Sequence, residues 1–495
     1  MNGTLLPHQP GHRQRRHFLG KHQRLILLCV CALVMFITFY NCNFERNSGM
    51  VDISRESSTT LRLSTKTPYP HPHPDLHSHI SPNRSDSSQP LEQLTLIQLQ
   101  LISRHGARYP TLSGMPSINR THEKLRPYIP QGWIKPELAD EALDGILSTN
   151  GEIEVRKIAL RMTQKYNVFL DKHMHRKGAV RFVSSEWQRS RESANIFRRA
   201  MDLNNITGPV VVVPAAKDTT LAMRFTCPLW GQSKKSNAQS VAQEIAVFDD
   251  IHGDELQKRI SQKLAKLARR PVVPLTMSEI KTIYSLCGYD QSLYSESTHW
   301  CSLFDTRTTE LLELCSDIRY SRVYGPYGPH INKRIACSLL TQITKDIDQA
   351  LLDPLAATST FRFAHAETIM FISTILELES VLGVGSVPIV GNMPEGDARR
   401  RGFRTTNLVP FSSNIMLELY KDQSSQPLFR LLLNERAVNF PACSADALCP
   451  LSVLRNMLAG NIGCDYAQMC TVDDKYDDNE DNDDADSIKI SLDQY

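Results

Sequence analysis

In Arg104–His105–Gly106–Ala107–Arg108–Tyr109–Pro110–Thr111 two arginines flank a histidine directly after the apolar run Leu94–Ser103. Guanidinium groups are planar, charge-assisted donors suited to anionic oxygens, and an imidazole among them can serve as a nucleophile. A solvent-facing basic loop has no reason to sit at a buried strand's end, whereas open α/β sheets bind ligands there. By average residue usage, R-H-G-x-R arises by chance on the order of once in several hundred chains of this size. A second cluster, Phe363–Ala364–His365–Ala366–Glu367–Thr368, sets a histidine and a carboxylate two residues apart where another strand gives way to a helix. Alone it also reads as a capping carboxylate at a helix N-terminus. A third, Ser184–Ser185–Glu186–Trp187–Gln188–Arg189–Ser190–Arg191, puts Arg189 just after a strand and near a helix start. By itself such a segment is more often a surface helix than a site.

The elements that must position these residues follow from periodicity. Strands are expected at Leu94–Ser103, Arg181–Ser185, Val210–Val213 (buried) and Phe361–Ala364, with Ile415–Tyr420 and Phe429–Leu433 as an antiparallel pair. Helices are expected from Asn150–Gly151 towards Leu170, over Ser190–Asp202, Ser240–Leu267 and Ile335–Leu352, and from about Thr368 to Leu382. The implied fold is α/β: a doubly wound, mostly parallel sheet flanked by helices, built from 94–214 and 353–472. A helix-rich second domain is inserted at about 215–352. Asp249, Asp250, Asp254 and Glu255 lie in that insertion and read as a solvated helix face. Arg399, Arg400, Arg401 and Arg404 form a basic run that fits a grip on further phosphates, a plain exposed loop or a protease site.

Across its 495 residues the chain is 41% hydrophobic and 22% charged, which suits a globular protein and excludes collagen-like, coiled-coil and wholly disordered classes. The net charge of +3 is too small to suggest nucleic acid as a partner. Its distribution is uneven. Residues 1–24 carry five basic groups and no acid, residues 94–472 carry a net +7, and the tail from Asp473 carries a net −8. A basic body fits an anionic substrate, although a surface with a small excess of Lys and Arg has the same balance.

Leu25–Tyr40 is sixteen uncharged, mostly apolar residues, extended by the uncharged Asn41–Phe44 and preceded by the basic segment. Residues 25–44 therefore read as a signal anchor crossing a core of about 30 Å, with the basic end cytosolic. A cleaved signal peptide shares this charge order, but Phe39–Phe44 offers no small-x-small site. Both readings export the body. Residues 45–93, rich in Ser, Thr, Pro and His, read as a disordered stalk. Its His71, His73, His77 and His79 fit a solvated linker better than a metal site. Residues 473–495 read as an acidic disordered tail. The nine cysteines from Cys227 onward match no zinc spacing, so four disulfides and one thiol, with Cys315 as candidate, are expected of an exported chain. Sequons stand at Asn83, Asn119 and Asn205.

With RHGARYPT, the Arg189 segment and HAE in this order, the chain resembles the histidine phosphatases of the acid phosphatase and phytase branch. HAE in place of HD is similar to multiple inositol polyphosphate phosphatases, as are Cys287 with Trp300–Asp305, Phe403–Phe411 and Leu431–Glu435. The resemblance spans roughly Leu94–Cys470. It implies hydrolysis of phosphomonoesters such as phytate through a phosphohistidine on His105. Arg104, Arg108, Arg189 and His365 would hold the phosphate and Glu367 would act as acid and then base, with no metal or organic cofactor. Arg404 is a possible further substrate ligand. A broad acid phosphatase and a non-catalytic membrane protein binding phosphorylated ligands are the alternatives. In part from the family pattern, Cys287–Cys301 and Cys464–Cys470 are the preferred local disulfides and Cys227–Cys337 a long-range one. Lumenal members may end in a retention tetrapeptide; Ser491–Tyr495 is none, so the cell surface is the favoured destination, with the endoplasmic reticulum or secretion as alternatives.

Overall fold

The apolar run after residue 94 becomes the centre of a mixed eight-stranded sheet in the computed structural model. The structure describes residues 61–70 and 94–472, apart from 175, 177, 202–207, 354–358, 384–386 and 445–446. The strands are β1 (Thr95–Arg104), β2 (Val180–Ser185), β3 (Val211–Val213), β4 (Ser359–Ala364), β5 (Asn414–Lys421), β6 (Pro427–Leu433), β7 (Arg436–Ala437) and β8 (Cys449–Pro450). Their order is β3-β2-β4-β1-β5-β6-β7, with β8 also on β6. β3, β2, β4 and β1 run parallel, and β5 and β6 extend the sheet antiparallel from β1. The expected hairpin thus sits beside the central strand and makes the sheet mixed.

Register decides where the motifs meet. Arg104 lies opposite Ala364 and Ser184 opposite Phe363, so β1, β2 and β4 end at one edge with their following loops side by side. Side chains alternate across a strand, and the two faces build separate cores. Leu99, Leu101, Phe361 and Phe363 pack with Ile158, Met162 and Phe197. Those partners come from two helices, Thr149–Lys165 and Gln188–Met201. Ile102, Ile415 and Leu417 instead join the core of the helical region.

Helices α1 (Met115–Leu125), α2 (Thr149–Lys165), α3 (Gln188–Met201), α4 (Pro228–Ala268), α5 (Met277–Tyr294), α6 (Thr306–Val323), α7 (Cys337–Leu352) and α8 (Ala366–Ile375) complete the frame. The insertion is more helical than periodicity suggested. α5 and α6 lie between the two anticipated helices, opened by capping boxes at Thr276–Glu279 and Asp305–Thr308. Each is 18 residues long and buried on most sides, which erases the amphipathic stripe that periodicity reads. The helix expected to run to Leu382 breaks at Glu377, whose φ of 50° leaves the helical region. β3 is a short edge strand with Val211 and Val212 exposed, where a buried strand was expected.

Two further expectations are corrected. Residues 61–70, assigned to the disordered stalk, form an ordered strap across the helical region and the sheet. Ser64 N–H donates to Thr406 Oγ1, Phe411 N–H to Thr67 O, Tyr69 N–H to Glu154 and Tyr284 O–H to Arg62 O. Among the disulfides, Cys287–Cys301 is as expected and Cys315 is free and buried. Cys464 and Cys470, however, bond Cys337 and Cys227 rather than each other, and Cys443 pairs with Cys449. The short helix Tyr466–Met469 separates Cys464 from Cys470, so each reaches the start of a different long helix, α7 or α4.

The stalk's His71, His73, His77 and His79, the segment 25–44, the tail from 473, Asn83 and Asn205 lie outside the described residues. Asn119 is exposed on α1. Among the described residues no helix is long and apolar enough to cross a membrane.

Non-reducing peptide mapping is expected to recover Cys227 with Cys470 and Cys337 with Cys464. Replacing Cys227 and Cys470 together by serine should cost about 2–5 kcal/mol in denaturant unfolding, because that bond closes a loop of 243 residues.

Candidate active site

The loop that follows β1 is held from three sides. His105 N–H donates to Ala364 O on β4, Ser412 N–H donates to His105 O, and Ala107 N–H donates to Glu154 on α2. Gly106 N–H donates to Ser193 Oγ, which itself donates to Arg189 O on α3. The glycine is needed for space rather than for an unusual turn. A Cβ on Gly106 would stand 2.4 Å from Gly151 O, and one on Gly151 would stand 2.2 Å from Ala107 O. The two glycines let the loop after β1 lie directly on the first turn of α2.

His105 is buried, and its Nδ1 lies 2.8 Å from Gly106 O. A carbonyl only accepts, so Nδ1 carries the proton and Nε2 keeps its lone pair. Burial holds the imidazole pKa well below its usual value, and Arg189, Arg104, His365 and Arg108 reinforce the effect. The ring is thus neutral and nucleophilic under mildly acidic conditions.

Around it stand the guanidinium groups. Arg104 is anchored by Thr65 O at 2.7 Å and Val409 O at 2.6 Å, and lies 4.2 Å over the ring of Phe411. Arg108 donates to Tyr109 O at 2.7 Å. Arg189 opens α3 and approaches the turn at Gly145. Among the described residues the Nε groups of Arg104, Arg108 and Arg189 are buried without a hydrogen-bond partner. Burial and the neighbouring Arg108 lower both Arg104 and Arg189 to about 9. Buried cations that repel one another, with donors left over, suit a site for a polyanion.

The HAE segment closes the other side. The His365 ring lies 5.6 Å from that of His105, its Nε2 is 3.0 Å from Ser185 Oγ, and Trp187 stands edge-on at 5.0 Å. Burial and Arg189 lower its pKa to about 3. Glu367 lies in the first turn of α8. Burial pushes its pKa up, but Arg224, with Nε 2.6 Å from Oε1, and His365 outweigh this and bring it to about 2. The carboxyl is therefore ionised in the ligand-free protein.

Two of the cations here carried no motif. Lys66, from the strap, lies 5.3 Å over Tyr289 and against Gly288. Burial, then Arg108, Arg104 and Arg319, lower its pKa to about 7. Arg224 comes from the turn Met223–Phe225 between β3 and α4. Glu154 is the third buried group, accepting from Tyr69 and Ala107 N–H and Ser412 Oγ; burial raises it to about 7.

Arg404 does not fit the phosphate-gripping expectation. It is buried, with donors turned to Glu313, Ala398 O and Arg399 O. Arg401 is spent on Asp317 and Glu313, while Arg399 and Arg400 pair with Glu395 and Asp397. The basic run knits α6 to the segment after α8. Asp249 pairs with Lys281 and Glu255 with Arg259, as solvated helix carboxylates do.

The model of the histidine phosphatase superfamily (branch 2) matches residues 95–434. The chain is 25% identical over 379 residues to the human protein named multiple inositol polyphosphate phosphatase 1, covering 70% of this chain and 75% of that one. A phytase from D. castellii shares the fold with a TM-score of 0.64 at 16% identity, over 82% of this chain and 86% of its own. A Bifidobacterium longum multiple inositol polyphosphate phosphatase, solved with inositol hexasulfate, does so with a TM-score of 0.58 at 16% identity, over 80% and 97%.

Both histidines have folded-state pKa values below the unfolded value of about 6.5, so their stability contribution is present above that pH and is lost as pH falls below it, for His365 towards about 3. In histidine-labelled protein, NMR titration from pH 8 to 5 is expected to show neutral rings throughout for His105 and His365.

Proposed function

The chain belongs to the histidine phosphatase superfamily, branch 2, and from that we propose a phosphomonoester hydrolase that strips phosphates from inositol polyphosphates through a phosphohistidine at His105. The observation that carries the reading is the neutral His105 imidazole ringed by Arg104, Arg108 and Arg189 at the ends of parallel strands. The human relative's name supports the substrate class.

Each residue then has a physical role. His105 Nε2 attacks phosphorus as the bond to the leaving oxygen breaks. Arg104, Arg108 and Arg189 hold the equatorial oxygens as charge redistributes, and the buried setting strengthens those contacts. His365, held by Ser185, is a neutral phosphate ligand. Glu367 gives a proton to the departing alkoxide, whose basicity makes unassisted departure slow. The resulting carboxylate takes a proton from water as that water attacks the phosphohistidine, releasing phosphate and restoring the imidazole. Lys66 adds a cation for a further phosphate of the same substrate. The four disulfides accord with the secretory pathway. Anchoring through residues 25–44, with the catalytic body lumenal or extracellular, completes the reading.

His105→Ala should lower phosphate release from inositol hexakisphosphate on the order of 10³-fold or more. Rapid-quench trapping under alkaline conditions should place labelled phosphorus on that imidazole in the parent protein. A broad acid phosphatase would instead turn over phenyl phosphate as efficiently as the polyanion. Lys66→Met should raise KM for inositol hexakisphosphate about 10-fold at pH 6, roughly one charge-assisted hydrogen bond. Because the free amine titrates near pH 7, that penalty should shrink by pH 8, where the parent has lost most of the charge.

A further inference from the structure

The acid of this site is occupied by a neighbour that does not belong to the phosphate cradle. Arg224 Nε donates to Glu367 Oε1 at 2.6 Å, and a carboxylate so paired is a poor proton donor. Its backbone is fixed. Thr368 Oγ1 donates to Leu221 O, Tyr466 O–H donates to Met223 O, and Asp218 accepts from the N–H groups of Thr220 and Leu221. The side chain is placed differently, about a quarter exposed against 15% for Glu367. The guanidinium lies 3.9 Å over the ring of Phe225, which stacks on Trp187 at 4.7 Å and is itself half exposed. An aromatic face lets a guanidinium shift outward while keeping its cation–π contact. Arg224 therefore has a fixed backbone, a partly exposed guanidinium and an aromatic surface beside the acid over which that guanidinium can be drawn.

The other groups around Glu367 do not play this part. Arg189 from α3 and Arg104 from β1 interact with it electrostatically without touching it and are assigned to the scissile phosphate in the reading above. His365, at the start of its own helix, is neutral, and Tyr324 from α6 is pushed up to about 12.

We propose that Arg224 is a specificity switch for the acid: a second phosphate of the substrate, adjoining the scissile one, draws the guanidinium from Glu367 and lets the carboxyl carry the proton that the leaving oxygen needs. This rests on the inositol polyphosphate reading above. The proton comes from solvent or from the substrate's own phosphate hydroxyl. It passes from Glu367 to the leaving oxygen as that oxygen's bond to phosphorus breaks and the Nε2–phosphorus bond forms. An alkyl ester with a single phosphate leaves Arg224 on Glu367 and departs slowly. An aryl ester, with a stable leaving group, needs no acid and is indifferent to the switch.

The test measures kcat and kcat/KM against pH for inositol hexakisphosphate, glycerol 2-phosphate and p-nitrophenyl phosphate, using the full chain and its Arg224→Gln and Arg224→Lys variants, with the alkaline limb read on kcat because that profile reports the acid in the substrate complex. In the parent the alkaline limb for glycerol phosphate should lie roughly one pH unit or more below that for inositol hexakisphosphate. Arg224→Gln should move the glycerol phosphate limb up by about one unit and raise its kcat/KM at pH 6 about fivefold. The same change should lower the value for inositol hexakisphosphate about 10-fold, through loss of a phosphate contact. Arg224→Lys should restore part of the selectivity. Equal losses on both substrates with unmoved limbs would make Arg224 a structural residue and overturn the proposal. Should the glutamine variant fail to fold, coincident limbs in the parent alone would overturn it. A parent with no preference for inositol hexakisphosphate would instead sink the underlying functional reading, whatever Arg224 does.

Discussion

Like charge packed around a neutral ring is the constraint on which this structure turns. Arg104, Arg108 and Arg189 are brought close together, with their Nε groups buried, and burial and the charge of Arg108 drive Arg104 and Arg189 down to about 9. The same field keeps His105 unprotonated. Such an arrangement is costly in the ligand-free protein and favourable once a polyanion enters, so binding energy is concentrated on the reacting phosphoryl group. Holding the cations in place requires anchors that do not neutralise them. Arg104 is therefore tied to two backbone carbonyls and an aromatic face, with no carboxylate in direct contact among the described residues.

The sheet supplies the geometry that this crowding demands. Parallel β1, β2 and β4 end at one edge, so loops from three distant stretches converge without any long connection having to span the site. The antiparallel strands on the far side of β1 play another role. Their approach through Phe411–Asn414 closes the back of the loop after β1, and Phe411 N–H donates to the strap at Thr67 O. Glu154 knots strap, that loop and that approach together through three hydrogen bonds. Its raised pKa is the cost of placing a carboxyl where burial exceeds the help from its donors.

Glu367 and Glu154 are both buried carboxyls near the same cations, yet they are shifted in opposite directions. Glu367 touches a guanidinium, whereas Glu154 receives neutral donors and feels Arg104 only at a distance. Direct contact with a cation thus outweighs desolvation, and neutral hydrogen bonds do not. Glu367 is accordingly ionised in the ligand-free protein, and under the proposed mechanism it needs a change in its surroundings before it can donate a proton.

What the amino-acid sequence determined by itself was chemistry carried on contiguous residues at strand ends. RHGAR and HAE give the two histidines, two of the arginines and the carboxylate that the structure gathers in the candidate site, and the apolar runs before them mark the strands that aim them. Arg189 needed the same strand-to-helix pattern, and the odd count of cysteines required one unpaired thiol, for which the candidate Cys315 is the free cysteine in the structure. Tertiary structure alone decided the partners that meet through space. Lys66 lies 39 residues before His105 in a polar segment whose composition matches a linker. Arg224 meets Glu367 across 143 residues of chain. Arg404, in a run with the composition of a phosphate grip, is turned inward because Glu313 and Asp317 on α6 take that run's charge. Cys464 and Cys470 are close in sequence but bond the starts of two long helices. Periodicity and motif spacing report local geometry, whereas these contacts depend on how separately folded elements dock, and no short stretch of sequence encodes that distance.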